Sequence, residues 1–172
     1  MGELRLHLIR HAKTEKISLS GDDFDRKLVE KGNCQLILLK KYLNGMVNSD
    51  DLILCSPASR TTQTLSALKL QNKSIPVKFL DELYLGNSNS LLSAICKQNN
   101  KSNLWLIGHN DGISDLASYL TGENIYFHTS EFISLSTSIT DWHHLSADSC
   151  VLVDRYLADS MELDSLIRSG KQ

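Results

Sequence analysis

Four positions in this sequence could hold and attack an anion. Arg10-His11 follows the apolar run Leu4 to Ile9. Arg60 follows the run Leu52 to Cys55 and the dipeptide Ser56-Pro57. His109 follows the run Leu104 to Ile107, and a carboxylate, Glu82, comes soon after Val77 to Leu80. Phosphate is the anion this set suits. An arginine presents a planar fork of donors that matches phosphoryl oxygens. A neutral histidine is a nucleophile whose phosphorus adduct is labile enough to turn over. His11 has Arg10 beside it, and that positive charge holds the imidazole toward its neutral form. A second histidine and a carboxylate can stabilise charge or handle the proton of a leaving group.

The elements that must bring these groups together are visible as alternating patterns. The four apolar runs are short and partly β-branched, as strands buried on both faces tend to be. Between them lie amphipathic stretches. Leu36, Leu39 and Leu43 recur at helical spacing, with Gly45 as a stop signal. Ser56-Pro57 is expected to open a second helix, serine as N-cap and proline at the first position. That puts Arg60 in the first turn, where free backbone N–H groups already favour an anion. Leu91, Leu92 and Ile95 mark a third helix, and Ile113, Leu116, Ala117 and Leu120 a fourth, closed by Gly122. Phe132 to Ile139 and Val151 to Tyr156 read as late strands, at least one of them antiparallel.

This order predicts an α/β fold, a three-layer sandwich whose central sheet is mostly parallel and flanked by helices. In open sheets of this kind, ligands sit beyond the carboxyl ends of the strands. Arg10, His11, Arg60, Glu82 and His109 all fall there. One domain is expected over 1–158, with 159–172 as a polar, fraying tail.

Composition agrees with a globular chain and excludes several functions. The 172 residues are 41% apolar and 22% charged, with a net charge of −2. A chain so near neutrality is not a general nucleic-acid binder. No apolar run reaches membrane-spanning length, and Met1 to Leu8, with Glu3, Arg5 and His7, does not read as a leader. Cys34, Cys55, Cys96 and Cys150 form no C-x-x-C pair, which fits reduced thiols of a cytoplasmic protein better than a zinc site. His128, His143 and His144 read as polar loop residues, and Trp105 and Trp142 as packing residues. Asp22, Asp23 and Asp25 lack the rest of a calcium loop and read as a solvated segment edging the pocket.

Four motifs stand in order: L-I-R-H-A-K at 8–13, S-P-A-S-R-T-T-Q-T at 56–64, D-E-L-Y at 81–84 and I-G-H-N-D-G at 107–112. Together they resemble the histidine phosphatase superfamily, of phosphoglycerate-mutase-like fold. The small size and D-F-D-R-K-L-V-E-K-G at 23–32 are most similar to its SixA branch, the phosphohistidine phosphatases. The resemblance implies that His11 attacks phosphorus and carries the phosphoryl group. It implies that Arg10, Arg60 and His109 bind the phosphoryl oxygens, that Glu82 stands near the leaving group, and that no metal or cofactor is needed. Ala12 replaces the usual glycine after Arg-His. Val29 stands where relatives have a threonine that would cap a helix, at a cost of about 1 kcal/mol. Asp111 stands where proline is frequent.

The expected activity is therefore hydrolysis of a phosphoryl group through a covalent phosphohistidine. The favoured substrate is a phosphorylated protein such as a phosphorelay domain, carrying phosphohistidine. A phosphomonoesterase acting on a small phosphorylated metabolite is the competing enzyme reading, and a non-catalytic phosphate-binding module the third. Neither nucleic acid nor membrane is an expected partner.

Overall fold

The structure is a computed structural model and describes residues 3–70, 75–99 and 101–170. Six strands form one sheet: β1 (Leu4–Arg10), β2 (Leu52–Cys55), β3 (Val77–Phe79), β4 (Asn103–Gly108), β5 (Phe132–Thr137) and β6 (Val151–Tyr156), in the order β3-β2-β4-β1-β5-β6. The pairs β2–β3, β2–β4 and β1–β4 are parallel, and β5 is antiparallel to both β1 and β6. The predicted sandwich and its antiparallel late strand are thus observed.

Side-chain alternation divides the core. Leu4, Leu6 and Leu8 of β1, with Leu104 and Leu106 of β4, face α3 (Ser88–Cys96) and α4 (Gly112–Thr121). Ile9, Trp105 and Ile107 face the other way, toward α1 (Glu30–Tyr42) and α2 (Ser59–Leu68). Each such leucine or isoleucine fully removed from water stabilises the fold by about 1.5–3 kcal/mol before entropy is counted. Both faces of the central strands are covered, which is why they read as unbroken apolar runs.

Two expectations are corrected. Residues 159–170 do not fray: α5 (Ser160–Ser169) forms and packs on α1, with Leu163 buried and the Asp159 carboxylate accepting from the N–H groups of Met161 and Glu162. The buried Leu163, the half-buried Leu166 and Ile167 beside it and a capped start dock this short helix. Nor is Ser56 the cap of α2. That helix starts at Ser59 with Ala58 in the N-cap position, and the Ser56 hydroxyl lies against His109. Arg60 nevertheless falls in the first turn. Asp111 takes the N-cap position of α4, but its side chain makes no capping bond.

The first turn of α4 comes close to the chain before it. A Cβ on Gly112 would collide with the carbonyl oxygen of Gly86. Glycine is needed there to bring the segment after β4 against the segment after β3. Among the described residues, no helix is long and apolar enough to cross a membrane.

Candidate active site

Arg10 and Gly108 are register partners at the ends of β1 and β4. His11 and His109 are the next residues on each strand, so they emerge side by side, with ring centroids 5.3 Å apart. The turn carrying His11 is tied from three sides. Its own N–H donates to the Gly108 carbonyl at 3.1 Å, and the Ser130 N–H donates to the carbonyls of Arg10 and His11 at 3.2 and 3.1 Å. Thr64 of α2 accepts from the Ala12 N–H at 3.1 Å, and Gln35 of α1 accepts from the Lys13 N–H at 3.0 Å.

The tautomers follow from the partners. His11 Nδ1 lies 2.8 Å from the Ala12 carbonyl, which can only accept. Nδ1 therefore carries the proton and Nε2 keeps its lone pair. Burial pushes the His11 pKa down to about 4; the Ala12 bond opposes that shift, while the charges of Arg60, Arg10 and Arg26 add to it. His109 has the opposite tautomer. Its Nδ1 accepts from Arg60 Nε at 3.1 Å, so its Nε2–H donates to Ser56 Oγ at 2.7 Å. Burial first, and then the Arg60 charge, push its pKa down to about 3. Both imidazoles are neutral at physiological pH.

Arg60 is 2% exposed. Its Nη1 donates to the Asp23 carbonyl at 2.6 Å and its Nη2 to the Asp23 carboxylate at 2.8 Å. The same carboxylate accepts from Arg26 Nη1 at 2.8 Å and from the Tyr84 hydroxyl at 3.0 Å. These donors, Arg26 foremost, hold the Asp23 pKa down at about 2. The Tyr84 ring stands edge-on to His109 and lies under the Arg60 guanidinium, 5.7 Å from centroid to carbon. Arg10 donates through Nη1 to the Phe127 carbonyl at 2.7 Å, and its Nε is buried without a partner.

These groups line a cavity of about 280 Å³, with Arg10, His11, Asp23, Arg26, Arg60 and His109 on its walls. A larger cavity, about 600 Å³, opens at the opposite end of the sheet beside Leu4, Lys101, Trp142 and His143. It lies at the amino ends of β1 and β4, has no arginine on its walls, and takes in none of the five expected site residues. The smaller cavity is the one that gathers the arginines and histidines.

Four of the five expected residues therefore meet: Arg10, His11, Arg60 and His109. Glu82 does not line this cavity, and its expected place near the leaving group is corrected. Its carboxylate pairs with Lys97 at 3.6 Å, beside Asn89 and Ser93. In the 3₁₀ turn Asp81–Leu83 the leucine is fully buried, and its neighbour Glu82 is left on the exposed side facing α3. Two residues later Tyr84 reaches the site instead. Sequence alone assigns Arg26 and Tyr84 no role of their own, Ser56 only that of a helix cap, and Asp23 only a place in a solvated segment edging the pocket. The only signal for Asp23 and Arg26 was their place in the segment 23–32, and nothing in the pattern told Asp23 from Asp22 or Asp25. Among the described residues, no group of three or more His, Cys, Asp or Glu side chains could hold a metal ion.

Comparison with known proteins places this geometry. A sequence profile of the histidine phosphatase superfamily (branch 1) matches residues 6–92. An uncharacterised chloroplastic protein of Arabidopsis thaliana is 29% identical over 154 residues, covering 83% of this chain and 71% of that protein. A candidate phosphohistidine phosphatase SixA from Nakamurella multipartitia superposes with a TM-score of 0.80 at 25% identity, covering 91% of this chain and 97% of its own. Its counterpart from Agrobacterium tumefaciens gives 0.75 at 26% identity, covering 92% and 100%.

Proposed function

Since this chain belongs to the histidine phosphatase superfamily, branch 1, and is a SixA-like phosphatase within it, we propose that its substrate is a phosphohistidine carried on a protein, hydrolysed through a covalent intermediate on His11. In the first step the His11 Nε2 lone pair attacks phosphorus from the side opposite the leaving nitrogen. The P–N bond breaks and its electron pair stays with the leaving imidazole. His11 keeps its Nδ1 proton on the Ala12 carbonyl throughout, so the phosphorylated ring is cationic and a good leaving group in its turn. Water then attacks phosphorus, the P–Nε2 bond breaks with its electron pair returning to His11, a water proton stays with the released phosphate, and neutral His11 is restored. Each step inverts at phosphorus.

Arg10 and Arg60 neutralise the phosphoryl oxygens as charge builds on them. The unpartnered Nε of Arg10 is a donor that a phosphoryl oxygen would satisfy. The Nε2–H of His109 can pass from Ser56 to another oxygen.

One observation carries the choice of leaving group. Asp23, the single carboxylate lining the cavity among the described residues, is held ionised, and Glu82 is paired elsewhere. An alkoxide needs an acid to leave at neutral pH. A phosphorylated imidazole carries its own proton on the distal ring nitrogen and leaves neutral. A substrate panel tests this: kcat/KM for a phosphohistidine protein and for phosphoramidate is expected to exceed that for sugar phosphates by at least about a hundredfold. Sugar phosphates as the better substrates would overturn it in favour of a small-molecule phosphomonoesterase. Phosphate binding with no acid-labile label trapped on His11 would leave only a binding module.

A further inference from the structure

Every guanidinium nitrogen of Arg60 and Arg26 already has a partner before any substrate arrives. The three nitrogens of Arg60 donate to His109 Nδ1, the Asp23 carbonyl and the Asp23 carboxylate. Those of Arg26 donate to the Glu15 carbonyl at 2.8 Å, Thr14 Oγ1 at 2.8 Å and the Asp23 carboxylate. A guanidinium offers paired donors along two edges, the terminal Nη1–Nη2 edge and the side Nε–Nη2 edge. In Arg60 the terminal edge is filled by Asp23, its carbonyl on Nη1 and its carboxylate on Nη2, while Nε of the side edge holds His109 Nδ1. A phosphoryl group seeking the terminal edge of Arg60 therefore meets a carboxylate already in place.

We propose that Asp23 is an internal anion that competes with the phosphoryl group for Arg60 and Arg26, so that its displacement sets how weakly the cavity holds phosphate. The proposal rests on the phosphoryl-binding reading of the cavity. Asp23 and not Arg60 is the partner able to move. Its side chain is 42% exposed against 2% for Arg60, and it sits on a single 3₁₀ turn, Asp23–Asp25, at the cavity edge. Once turned outward, its carboxylate is solvated by water, whereas the guanidinium is enclosed by Tyr84 and His109. A phosphoryl group carries up to two negative charges against one on Asp23, so it has the stronger claim on two arginines. Released inorganic phosphate, which has lost the contacts of the substrate's protein, faces the same competitor and departs more readily. A cup of three arginines without that competitor would retain its product.

The alternative role for Asp23 is a brace that merely holds two arginines in position. The two roles predict opposite signs. Binding of inorganic phosphate at pH 7 is measured by ³¹P NMR titration for the wild type, Asp23→Asn and Tyr84→Phe. Asn keeps the size and removes the charge, and is expected to bind phosphate about tenfold more tightly; the KM for a phosphohistidine protein should fall with it. Tyr84→Phe removes one of the bonds holding Asp23 and is expected to tighten binding about twofold. Unchanged or weaker binding in Asp23→Asn makes Asp23 a brace and overturns the proposal. If Asp23→Asn loses its circular-dichroism melt, Tyr84→Phe decides by the same criterion. Failure of the wild type to bind phosphate at tens of millimolar would sink the phosphoryl-cavity reading itself, a result distinct from intact binding that Asp23→Asn does not tighten.

Discussion

His7 and His11 stand four residues apart, one within β1 and one just past it. Both are buried, at 5% and 8% exposure, and burial pushes both pKa values down to about 4. Their surroundings have little else in common. His7 stacks on Trp105 with ring centroids 4.2 Å apart and lies 5.8 Å from Phe132, in the middle of the sheet. His11 faces three arginines across an open cavity at the carboxyl end of the sheet. Burial alone makes a histidine neutral; it does not make it a nucleophile. For that, one ring nitrogen must be held by an acceptor, the other left free, and room for a phosphorus atom kept beside cations. The strand's carboxyl end supplies that room, and its middle cannot.

The sharpest way to break this contrast is to remove each ring in turn. His11→Ala is expected to lower kcat by at least about 10⁴-fold, because no other described group on the cavity wall has a free ring nitrogen. His7→Phe keeps the stacking and is expected to leave kcat within about threefold. Steady-state rates on a phosphohistidine protein, with circular dichroism to confirm folding, check both. Comparable losses at the two sites would mean that burial, not the cavity, is what matters. Next in size, Arg60→Ala is expected to cost about 10²–10³-fold in kcat/KM, since it removes a charge and frees the His109 ring. Arg60→Lys should recover only part of that loss, because an ammonium has no fork to hold Asp23 and His109 together.

The same contrast explains what could be read without coordinates. Arg10, His11 and His109 were legible because each stands at or just past the end of an apolar run, which a buried parallel strand delivers to the carboxyl end, and Arg60 because it opens the helix that follows such a run. The strands themselves were legible for the same reason. Glu82 was misread by that logic. The strand before it is only Val77–Phe79, at the sheet edge, and the buried Leu83 governs the turn that follows. Asp23, Arg26 and Tyr84 reach the cavity from loops and a 3₁₀ turn, whose direction is set by tertiary contacts and leaves no period in the sequence. α5 was legible in principle, with Asp159 as its cap and Leu163, Leu166 and Ile167 at helical spacing, but its many polar residues read as a tail.

Stability against pH extends the comparison to a property that both regions share. His7, His11 and His109 have folded pKa values of about 4, 4 and 3, below the ordinary value near 6.5 in the unfolded chain. Below about pH 6.5 the unfolded chain takes up protons that the folded one refuses. The stability these groups contribute is therefore present above that pH and lost as pH falls toward 4 and 3. Each group steepens the loss by up to about 1.4 kcal/mol per pH unit. Urea midpoints between pH 7 and 4 should fall accordingly, and His7→Phe should flatten the curve by one proton without changing the pH dependence of kcat. An unchanged curve in His7→Phe would mean that His7 is protonated inside the fold.

The smallest expected effect is at Glu82, and a null result there is informative. Its carboxylate is exposed and paired with Lys97, which is exposed as well; such a pair is worth about 0–1 kcal/mol. Glu82→Gln should therefore leave both stability and kcat/KM for phosphohistidine within about twofold, and Lys97→Ala should do the same. If Glu82 were the acid for a leaving group, its loss would slow substrates in proportion to how badly their leaving group needs a proton. Sugar phosphates would then lose far more than phosphoramidate. A uniform absence of effect across both classes fits a carboxylate that faces α3. A selective loss of tenfold or more on esters would show that the segment after β3 swings Glu82 into the cavity when substrate binds, and would give the site a carboxylic acid for the leaving group.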